Sequence, residues 1–424
     1  MNPTTPTHID NVHSPRAGRR WRATALLLAL GWVVLFASEA RLPARLAAKL
    51  HPNSFPWQVP DAAALSAVQA ETRRQLEALP AVPRFQPLEG ARLEDAVGHW
   101  RRARPVNTWP NACLAAGVLA AAQAGGAEAD FAALRRFADR CVTPAGRFRE
   151  PLHGVEQAML GPVLLELARR DAGPRYRTAA LELTGFLLKQ HPRTPTGTLP
   201  YSAGEKEVLL VDTLAMVCPF LAAAATNLAR PEAADLAILQ LTEFHERAVD
   251  ALTGLPWHAY RAGGGPAYGA LGWTRGCGWY AVGLAETCTA LPADHPARPR
   301  LAAALEQLVQ AALVRQQPDG LWRWCLSIPE GDEDTSGSAL LAWAIERGCR
   351  CGALPAKYLE AAHRARAGVL RRTDQRGVVG QALGECQAVG HYPRVFGAYP
   401  WAQGPATAAL AWSQAGNLPK EPAR

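Results

Sequence analysis

The segment GWTRGCGWYAVGLAET (residues 272–287) begins with glycine, aromatic and arginine residues and continues as small apolar residues with helical spacing. The same plan recurs along the chain as a polar or aromatic start, then Gly, Pro or Ser, then a small apolar run. The other five segments are NTWPNACLAAGVLAAA (107–122), HGVEQAMLGPVLLELA (153–168), VDTLAMVCPFLAAAA (211–225), EDTSGSALLAWAIE (333–346) and YPWAQGPATAALAW (399–412). Intervals of 52, 57, 59, 59 and 68 residues separate the landmarks Pro110, Pro162, Pro219, Gly278, Gly337 and Pro405.

This interval predicts a repeating helical hairpin, because helices average about 11–12 residues and two of them with loops fill it. More charged amphipathic stretches, such as ALEQLVQAALVRQQ (304–317), separate the six segments. We therefore expect an all-α fold, an α/α six-hairpin barrel over residues 91–424, with the small-residue helices inside. An open solenoid would show the same period. Closure is favoured because all six segments carry their unusual residues at the same end, as a ring around one pocket requires.

The N-terminal region predicts export. Residues 1–50 hold seven Arg or Lys against two acidic residues, so they carry +5 of the net +8. Four arginines in a basic region (1–22) precede an unbroken apolar run, Ala25 to Ala37, within residues 23–38. Thirteen apolar residues match a signal peptide better than a membrane span of about 20. A short inner-membrane anchor is the alternative, and either places the barrel in the periplasm. Residues 39–90 are expected to form a stalk and a lead-in helix.

Composition argues against several classes of protein. No patch of basic and aromatic residues follows residue 50, so we expect no nucleic-acid partner. The nine cysteines include no CxxC pair and predict no zinc framework; most should be buried, with one or two disulfides in an oxidising compartment. The nucleotide and serine-hydrolase motifs GxxxxGKS/T, GxGxxG, GxSxG and HExxH are absent.

Asp212 is the first candidate catalytic residue. Apart from Cys218 it is the only ionisable side chain between Val208 and Ala225. A poorly solvated carboxyl favours its protonated form and suits general-acid chemistry. The alternative is that Asp212 caps a helix beginning at Thr213.

Three further residues suggest a ligand site. His258 lies among aromatic residues in GLPWHAYR, where a purely structural histidine is the more common case. Arg275 and Trp279 are four residues apart and would share a helix face, so a guanidinium could bind a carboxylate while an indole stacks on a ring. A cation–π pair inside the core is the alternative. The nearby glycines favour binding, because they let the backbone approach a ligand closely.

Other segments supply weaker candidates at the matching ends. Trp273 precedes Arg275, and NTWPN contributes Asn107 and Trp109. HGVEQ contributes His153 and Glu156. The segment EDTSGSALLAWA contributes the polar residues Glu333, Asp334, Thr335 and Ser336. A helix cap formed by Asp334 or Thr335 accounts for most of them.

These motifs resemble those of glycoside hydrolase families 88 and 105, the unsaturated glucuronyl and unsaturated rhamnogalacturonyl hydrolases. The similar segments are VDTLAMVCPFLAAAA, GLPWHAYR, GWTRGCGWYAVGLAE, GLWRW followed by EDTSGSALLAWAIERG, and WAQGPATAALA. The resemblance runs from about Trp100 to the C-terminus and is closer to family 105. It implies an α/α six-hairpin barrel, in agreement with the repeat.

The resemblance also implies the reaction. These enzymes remove a 4,5-unsaturated uronyl residue from lyase-generated acidic oligosaccharides by hydrating its vinyl ether, without a metal or other cofactor. By motif position Asp212 corresponds to the catalytic acid. His258, Arg275 and Trp279 correspond to the residues that surround and position the uronate. Trp109 and Trp273 are further expected substrate contacts. Two departures from the family pattern are Cys277, where Asn is usual, and Asp334, where Glu is common.

Two other functions stay open on the sequence. One is a catalytically quiet barrel that binds acidic sugar in cell-envelope polysaccharide handling. The other is a different α/α-barrel enzyme: an ordinary glycosidase, a polysaccharide lyase or a uronyl epimerase. Two carboxylates facing each other would favour an ordinary glycosidase. A single Asp near His and Arg would favour vinyl ether hydration.

Overall fold

The computed structural model describes residues 26, 28–31, 62–79, 106–171 and 173–415. They belong to two compact units, and the second, formed by Phe55–Pro83 and Ala103–Arg424, contains almost all of them. In the first unit, residues 28–31 are helical. The predicted basic region, most of the predicted signal segment and most of the predicted stalk lie outside the described residues. Among the helices that are described, none combines the length and apolar character needed to cross a bilayer.

The second unit is built from helices. In chain order they are α1 (Ala62–Glu77), α2 (Trp109–Gly125), α3 (Glu128–Cys141), α4 (Gly161–Arg170), α5 (Arg175–Gly185), α6 (Asp212–Asn227), α7 (Pro231–Ala248), α8 (Thr274–Ala290), α9 (Arg298–Leu313), α10 (Thr335–Arg350), α11 (Leu359–Arg371) and α12 (Pro400–Gln414). A 3₁₀ turn, Val155–Leu160, leads into α4, and a second, Ala356–Tyr358, leads into α11. A π-helical turn, Phe186–Gln190, extends α5.

The six repeated segments form an inner ring of α2, α4, α6, α8, α10 and α12. Each inner helix packs against the next, and α12 packs against α2, so the ring closes. The outer helices α3, α5, α7, α9 and α11 each pack between two successive inner helices. The closed α/α barrel is therefore confirmed over the open solenoid.

Helix α1 completes the outer layer. It packs against α2, α3 and α12, and Ala64 and Val68 are fully buried there. The hydroxyls of Thr72 on α1 and Thr407 on α12 are 2.7 Å apart. The lead-in helix expected from the sequence thus lies within the barrel wall, between the first and last inner helices.

The ring closes through a pair of glycines. A Cβ on Gly117 of α2 would lie 2.4 Å from the carbonyl oxygen of Gly404 on α12, and one on Gly404 would overlap the carbonyl of Cys113. Larger side chains would therefore push the two helices apart. Small residues on the inner helices allow six of them to surround one axis.

Short strands shape the end of the barrel where the inner helices begin. Strand β1 (Val208–Leu210) pairs antiparallel with β2 (Ala259–Arg261), with Leu210 opposite Ala259. Strand β3 (Ala382–Leu383) pairs antiparallel with β4 (Phe396–Gly397). Strand β1 lies directly before α6, and strand β4 lies directly before α12.

All nine cysteines are unpaired, and seven of them are buried. The expected disulfides are therefore absent, whereas the expected burial is confirmed. Burial raises the pKa of the Cys141, Cys288 and Cys349 thiols to about 12. These thiols are protonated at neutral pH and pack as small apolar side chains.

Candidate active site

The strand pair β1–β2 brings Asp212 and His258 together. Asp212 follows β1 by two residues, and His258 immediately precedes β2. The N–H of Val211 donates to the carbonyl of His258 at 2.9 Å, which extends the ladder to the mouth of the barrel. Asp212 Oδ2 lies 3.2 Å from His258 Nε2. Two residues far apart in sequence thus face each other at the start of α6.

The carboxylate of Asp212 is free to react. Helix α6 begins at Asp212 itself, its N-cap is Val211, and no side chain caps it. The capping interpretation of Asp212 is therefore wrong. Among the described residues, Oδ2 has no well-directed hydrogen-bond partner, and 17% of the side chain is exposed. Contacts of catalytic groups are often poorly aligned before substrate binds, and the helix N-terminus stabilises a carboxylate there.

A hydrogen-bonded chain orients His258. The Ala270 N–H donates to the Tyr392 hydroxyl at 2.9 Å, and that hydroxyl lies 2.6 Å from His258 Nδ1, to which it can donate its own proton. With the hydroxyl as donor, Nδ1 is the acceptor and Nε2 carries the hydrogen that faces Asp212. The chain places a donor beside the carboxylate.

Aromatic rings enclose this chain. The Trp273 ring centroid lies 4.7 Å from that of His258 and 5.5 Å from that of Tyr392. A Cβ on Gly269, whose φ is +91°, would lie 2.7 Å from His258 Cβ and 3.1 Å from the Tyr392 hydroxyl. Only glycine allows the loop to pass this close to the imidazole.

Two more carboxylates act electrostatically on the surroundings of Asp212. Burial raises the pKa of Glu156, and the charge of Glu385 raises it further, while His153 and the Trp109 N–H oppose the rise. Burial also raises the pKa of Tyr201, with further contributions from the charges of Glu156, Asp212 and Glu385, in that order. The three acids therefore lie within electrostatic range of one phenol.

The thiol of Cys386 belongs to the same group. Burial raises its pKa to about 12, the charge of Asp212 adds to the rise, and Arg275 opposes it. Its sulfur donates to the carbonyls of Ala388 and His391 at 3.1 and 3.5 Å. Cys386 is thus a neutral neighbour of the carboxylates.

Arg275 lies at this end but holds the chain itself. Its guanidinium donates to the carbonyls of Leu383 and Gly384 at 2.8 and 2.9 Å, and only 1% of the residue is exposed. The guanidinium carbon lies 4.7 Å from the Trp273 ring and 5.6 Å from the Trp401 ring. Arg275 therefore fixes the segment that carries Glu385 into the site.

The predicted pairing of Arg275 with Trp279 is wrong. Trp279 lies one turn further along α8 and lines a cavity in the other half of the barrel, where neither Asp212 nor Arg275 contributes. Trp109, in contrast, begins α2 at the same end as Asp212, and its ring lies 4.9 Å from that of Trp401. Of the predicted site residues, Asp212, His258, Trp273 and Arg275 are thus linked by contacts, and Trp109 is linked to them through Trp401. Trp279 lines the cavity instead, and its contact with substrate stays a prediction.

The glycines beside Arg275 serve helix packing. A Cβ on Gly278 would lie 2.4 Å from that of Leu340 on α10, and one on Gly276 would lie 2.9 Å from the Trp273 ring. Packing thus accounts for these two glycines, and the expectation that the segment admits a ligand stays a prediction. They let α8 approach its neighbours.

Neither departure from the family pattern is exposed to a ligand. Asp334 is completely buried and caps α10 by accepting from the N–H groups of Ser336 and Gly337. It also accepts from the Leu383 N–H at 2.9 Å. Cys277 is completely buried, which raises the pKa of its thiol, with Cys325 as a second cause. The capping interpretation of Asp334 is confirmed.

Tyr392, Glu385 and Tyr201 are site residues that the sequence did not single out. Each lies in a stretch without helical periodicity, so no repeat marks it. The sequence signal that could have linked Asp212 to His258 is the pair of short segments that form β1 and β2, because each lies next to one of these two residues. Within the described ranges, no group of three or more His, Cys, Asp or Glu side chains could hold a metal ion.

The model of glycosyl hydrolase family 88 matches residues 89–411. Among curated proteins, the unsaturated rhamnogalacturonyl hydrolase YesR of Bacillus subtilis is 24% identical over 215 residues, which are 50% of this chain and 62% of YesR. The chain thus spans less than two thirds of that relative.

Solved structures share the fold at low identity. A possible family 105 member from Klebsiella pneumoniae superposes with a TM-score of 0.73 and 18% identity, covering 84% of this chain and 94% of that one. Another, from Salmonella enterica, has a TM-score of 0.71 and 19% identity, covering 82% and 93%.

Proposed function

The chain belongs to glycosyl hydrolase family 88, and we propose that it removes a 4,5-unsaturated uronyl residue from acidic oligosaccharides by hydrating the C4=C5 bond. The observation that carries this proposal is the pair of Asp212 and His258. One reactive carboxyl with an oriented donor beside it suits an acid that protonates carbon. The unsaturated rhamnogalacturonyl hydrolase relative supports the substrate class.

The chemistry needs one acid that later acts as a base. Protonated Asp212 gives its proton to C4, and the positive charge that develops at C5 is shared with the ring oxygen. Water then adds its oxygen to C5 while its proton returns to the Asp212 carboxylate. The hemiketal formed at C5 opens to a ketone, and the hemiacetal left at C1 expels the remaining sugar with its own hydroxyl proton. Atoms balance with one water consumed.

His258 supports the charge changes on Asp212. Its Nε2–H faces Oδ2, so the contact strengthens as the carboxylate forms during proton transfer. Tyr392 keeps the imidazole in the tautomer that supplies this donor. Trp273 and Trp109 are proposed to contact the substrate. A direct contact between Arg275 and the uronate carboxylate stays a prediction.

The experiment that tests this function uses lyase-generated fragments of pectin and of glycosaminoglycans. The conjugated double bond absorbs in the ultraviolet, and its hydration removes that absorbance. We expect the wild-type protein to remove the signal from at least one fragment class and Asp212→Asn to leave it intact. No loss of absorbance with either class would contradict the proposal.

A second candidate function is an ordinary glycosidase that uses two carboxyl groups. The raised pKa of Glu156, caused first by burial, favours this alternative because a general acid must hold its proton at working pH. Such an enzyme would act on saturated uronosides and would release reducing sugar without any change in absorbance. A quiet sugar-binding barrel would do neither.

We also infer that the barrel works outside the cytoplasm, as a periplasmic protein either free or attached through residues 23–38. The support is the run of arginines before the apolar stretch Ala25 to Ala37. Fractionation of the host tests the location.

A further inference from the structure

A cavity lies on the barrel axis, in the half opposite to Asp212. Its volume is about 240 Å³, and its lining comes from all six inner helices and the 3₁₀ turn before α4. On α6 the lining runs from Ala215 to Asn227, the last residue of the helix. At 1.5 Å per residue this is a depth of roughly 18 Å. The volume approaches the roughly 300 Å³ at which pockets for small molecules begin.

Three indoles line this cavity: Trp279, Trp343 and Trp412. One ion pair fixes two of them. Trp343 Nε1 donates to Glu286 at 2.8 Å, and Arg347 donates to the two oxygens of Glu286 at 2.9 and 3.1 Å. The guanidinium carbon of Arg347 lies 4.0 Å above the Trp412 ring. The aromatic walls are therefore held in place before any ligand arrives, which lowers the entropic cost of binding.

The charged side chains that line the cavity are paired with charges of opposite sign. Glu286 is paired with Arg347, and Glu166 accepts from Arg169 at 2.7 Å. These are the charged side chains of the lining, two of each sign. A charged ligand would meet no unpaired partner of opposite sign and would lose its hydration without compensation. The cavity therefore favours a neutral ligand.

The cavity also presents hydrogen-bond acceptors. Pro219 lies inside α6 and has no N–H, so the carbonyl of Ala215 lacks its usual helical donor, and both residues line the cavity. At the rim, Gln123 and Asn227 add exposed amides. A ligand that suits these walls offers hydroxyl donors at its edge and a C–H face to the indoles.

We propose that this axial cavity is a second binding site, for a neutral pyranose ring. The ring stacks on Trp343 or Trp412 and donates hydroxyls to the Ala215 carbonyl and the rim amides. The site is separate from the proposed hydrolysis at Asp212, because no residue of the Asp212 group lines it.

The test is a titration of the full chain with three neutral probes, methyl β-D-galactopyranoside, L-rhamnose and D-glucose, followed by saturation-transfer NMR. We expect at least one of them to bind with a dissociation constant in the millimolar range, about 1–50 mM. D-Glucuronate serves as the charged comparison. The part of its binding that Ala223→Leu abolishes should be at least about tenfold weaker than that of the neutral sugar, whereas binding that survives this variant belongs to the Asp212 end. Binding should persist in Asp212→Asn.

Two variants locate the binding. Trp343→Ala removes a wall and should weaken binding at least about tenfold. Ala223→Leu adds bulk at the partly exposed mouth without removing any packing, so it keeps the test valid if Trp343→Ala fails to fold. It should abolish binding and leave the absorbance assay unchanged.

Several results would overturn the second site. They are no saturable binding by any of the three neutral sugars up to about 100 mM, stronger binding of glucuronate in the part that Ala223→Leu abolishes, neutral-sugar binding that survives Ala223→Leu, and neutral-sugar binding lost in Asp212→Asn. The last result would place the sugar at the Asp212 end. Failure of the absorbance assay alone would contradict the proposed hydrolysis and leave the axial site standing.

Discussion

The hydroxyl of Tyr392 lies 2.6 Å from His258 Nδ1, and the opposite nitrogen of the same imidazole faces Asp212 at 3.2 Å. We infer that this loop residue donates to Nδ1 and so keeps a hydrogen on Nε2, next to the candidate acid. The tyrosine acts through the histidine and is a positioning residue.

Replacing Tyr392 tests that role. Tyr392→Phe keeps the ring among Trp273 and Trp324 but removes the donor to Nδ1. We expect turnover to fall about tenfold, in line with the loss of one hydrogen bond worth roughly 0.5–1.5 kcal/mol. The ¹⁵N shifts of the His258 ring should report loss of the Nε2–H tautomer. Unchanged shifts with reduced turnover would contradict positioning through the tautomer.

Asp212→Asn separates chemistry from structure. The amide has nearly the same shape but cannot donate a proton to carbon, so turnover should fall by about 10²–10⁴-fold or more. The melting temperature should stay close to wild type, because no cap or hydrogen bond to Oδ2 is lost. A stable variant that turns over an unsaturated substrate near the wild-type rate would remove Asp212 from the mechanism.

Arg275→Ala distinguishes two roles for the guanidinium. The structure shows charged hydrogen bonds to Leu383 and Gly384, each worth roughly 1.5–3 kcal/mol. We expect the unfolding free energy to fall by about 3–5 kcal/mol, and KM to rise because the Glu385 segment loosens. Denaturant unfolding and kinetics on one preparation give both values. A raised KM with unchanged stability would instead support a direct contact with the substrate carboxylate.

Glu156 should make stability depend on pH. Burial raises the folded-state pKa of Glu156 above its unfolded-state pKa of about 4.3. The contribution of this group to stability is therefore fully present below the unfolded-state pKa, and it is lost as pH rises through the folded-state pKa. Glu156→Gln removes that loss and should stabilise the protein by about 1 kcal/mol near pH 8. The difference from wild type should disappear near pH 4.

The activity of the same variant decides between the two reaction types. Vinyl ether hydration by Asp212 should survive Glu156→Gln within about tenfold, whereas an ordinary glycosidase would lose its acid and about 10²–10⁴-fold in rate. Saturated and unsaturated substrates should be assayed in parallel.

Export predicts where the full chain accumulates. The protein should be found in the periplasmic or inner-membrane fraction of its host, and deletion of residues 23–38 should retain it in the cytoplasm. Recovery of the uncleaved full-length chain from the soluble cytoplasm would contradict export. An internal cytoplasmic enzyme serves as the fractionation control.

The fold was predictable because the sequence repeat reflects a packing requirement. Six segments with small residues at helical spacing can be buried only against one another, which determines the number of inner helices and the end at which Asp212 lies. Helix α1 was harder to place within the barrel. It stands outside the repeat, and its amphipathic pattern, including Ala64 and Val68, does not show which surface it covers.

The site was predictable only in part. Asp212 was detectable because a carboxyl in an apolar run is unusual. Tyr392 was not, since it reaches His258 across 134 residues from an aperiodic loop. Glycine is ambiguous in sequence, because the absence of a Cβ serves close helix packing at Gly278 as well as it would serve a ligand.

The seam between the first and last inner helices has a consequence for biogenesis. Thr72 and Thr407 are 335 residues apart, and the Gly117–Gly404 contact spans almost as much of the chain. While a ribosome is still making the polypeptide, α2 therefore has no partner on one flank. Loop closure over such a distance is slow and leaves apolar surface exposed to aggregation and to chaperones. A nascent chain whose barrel has not yet closed is still unfolded enough to pass through a secretion channel.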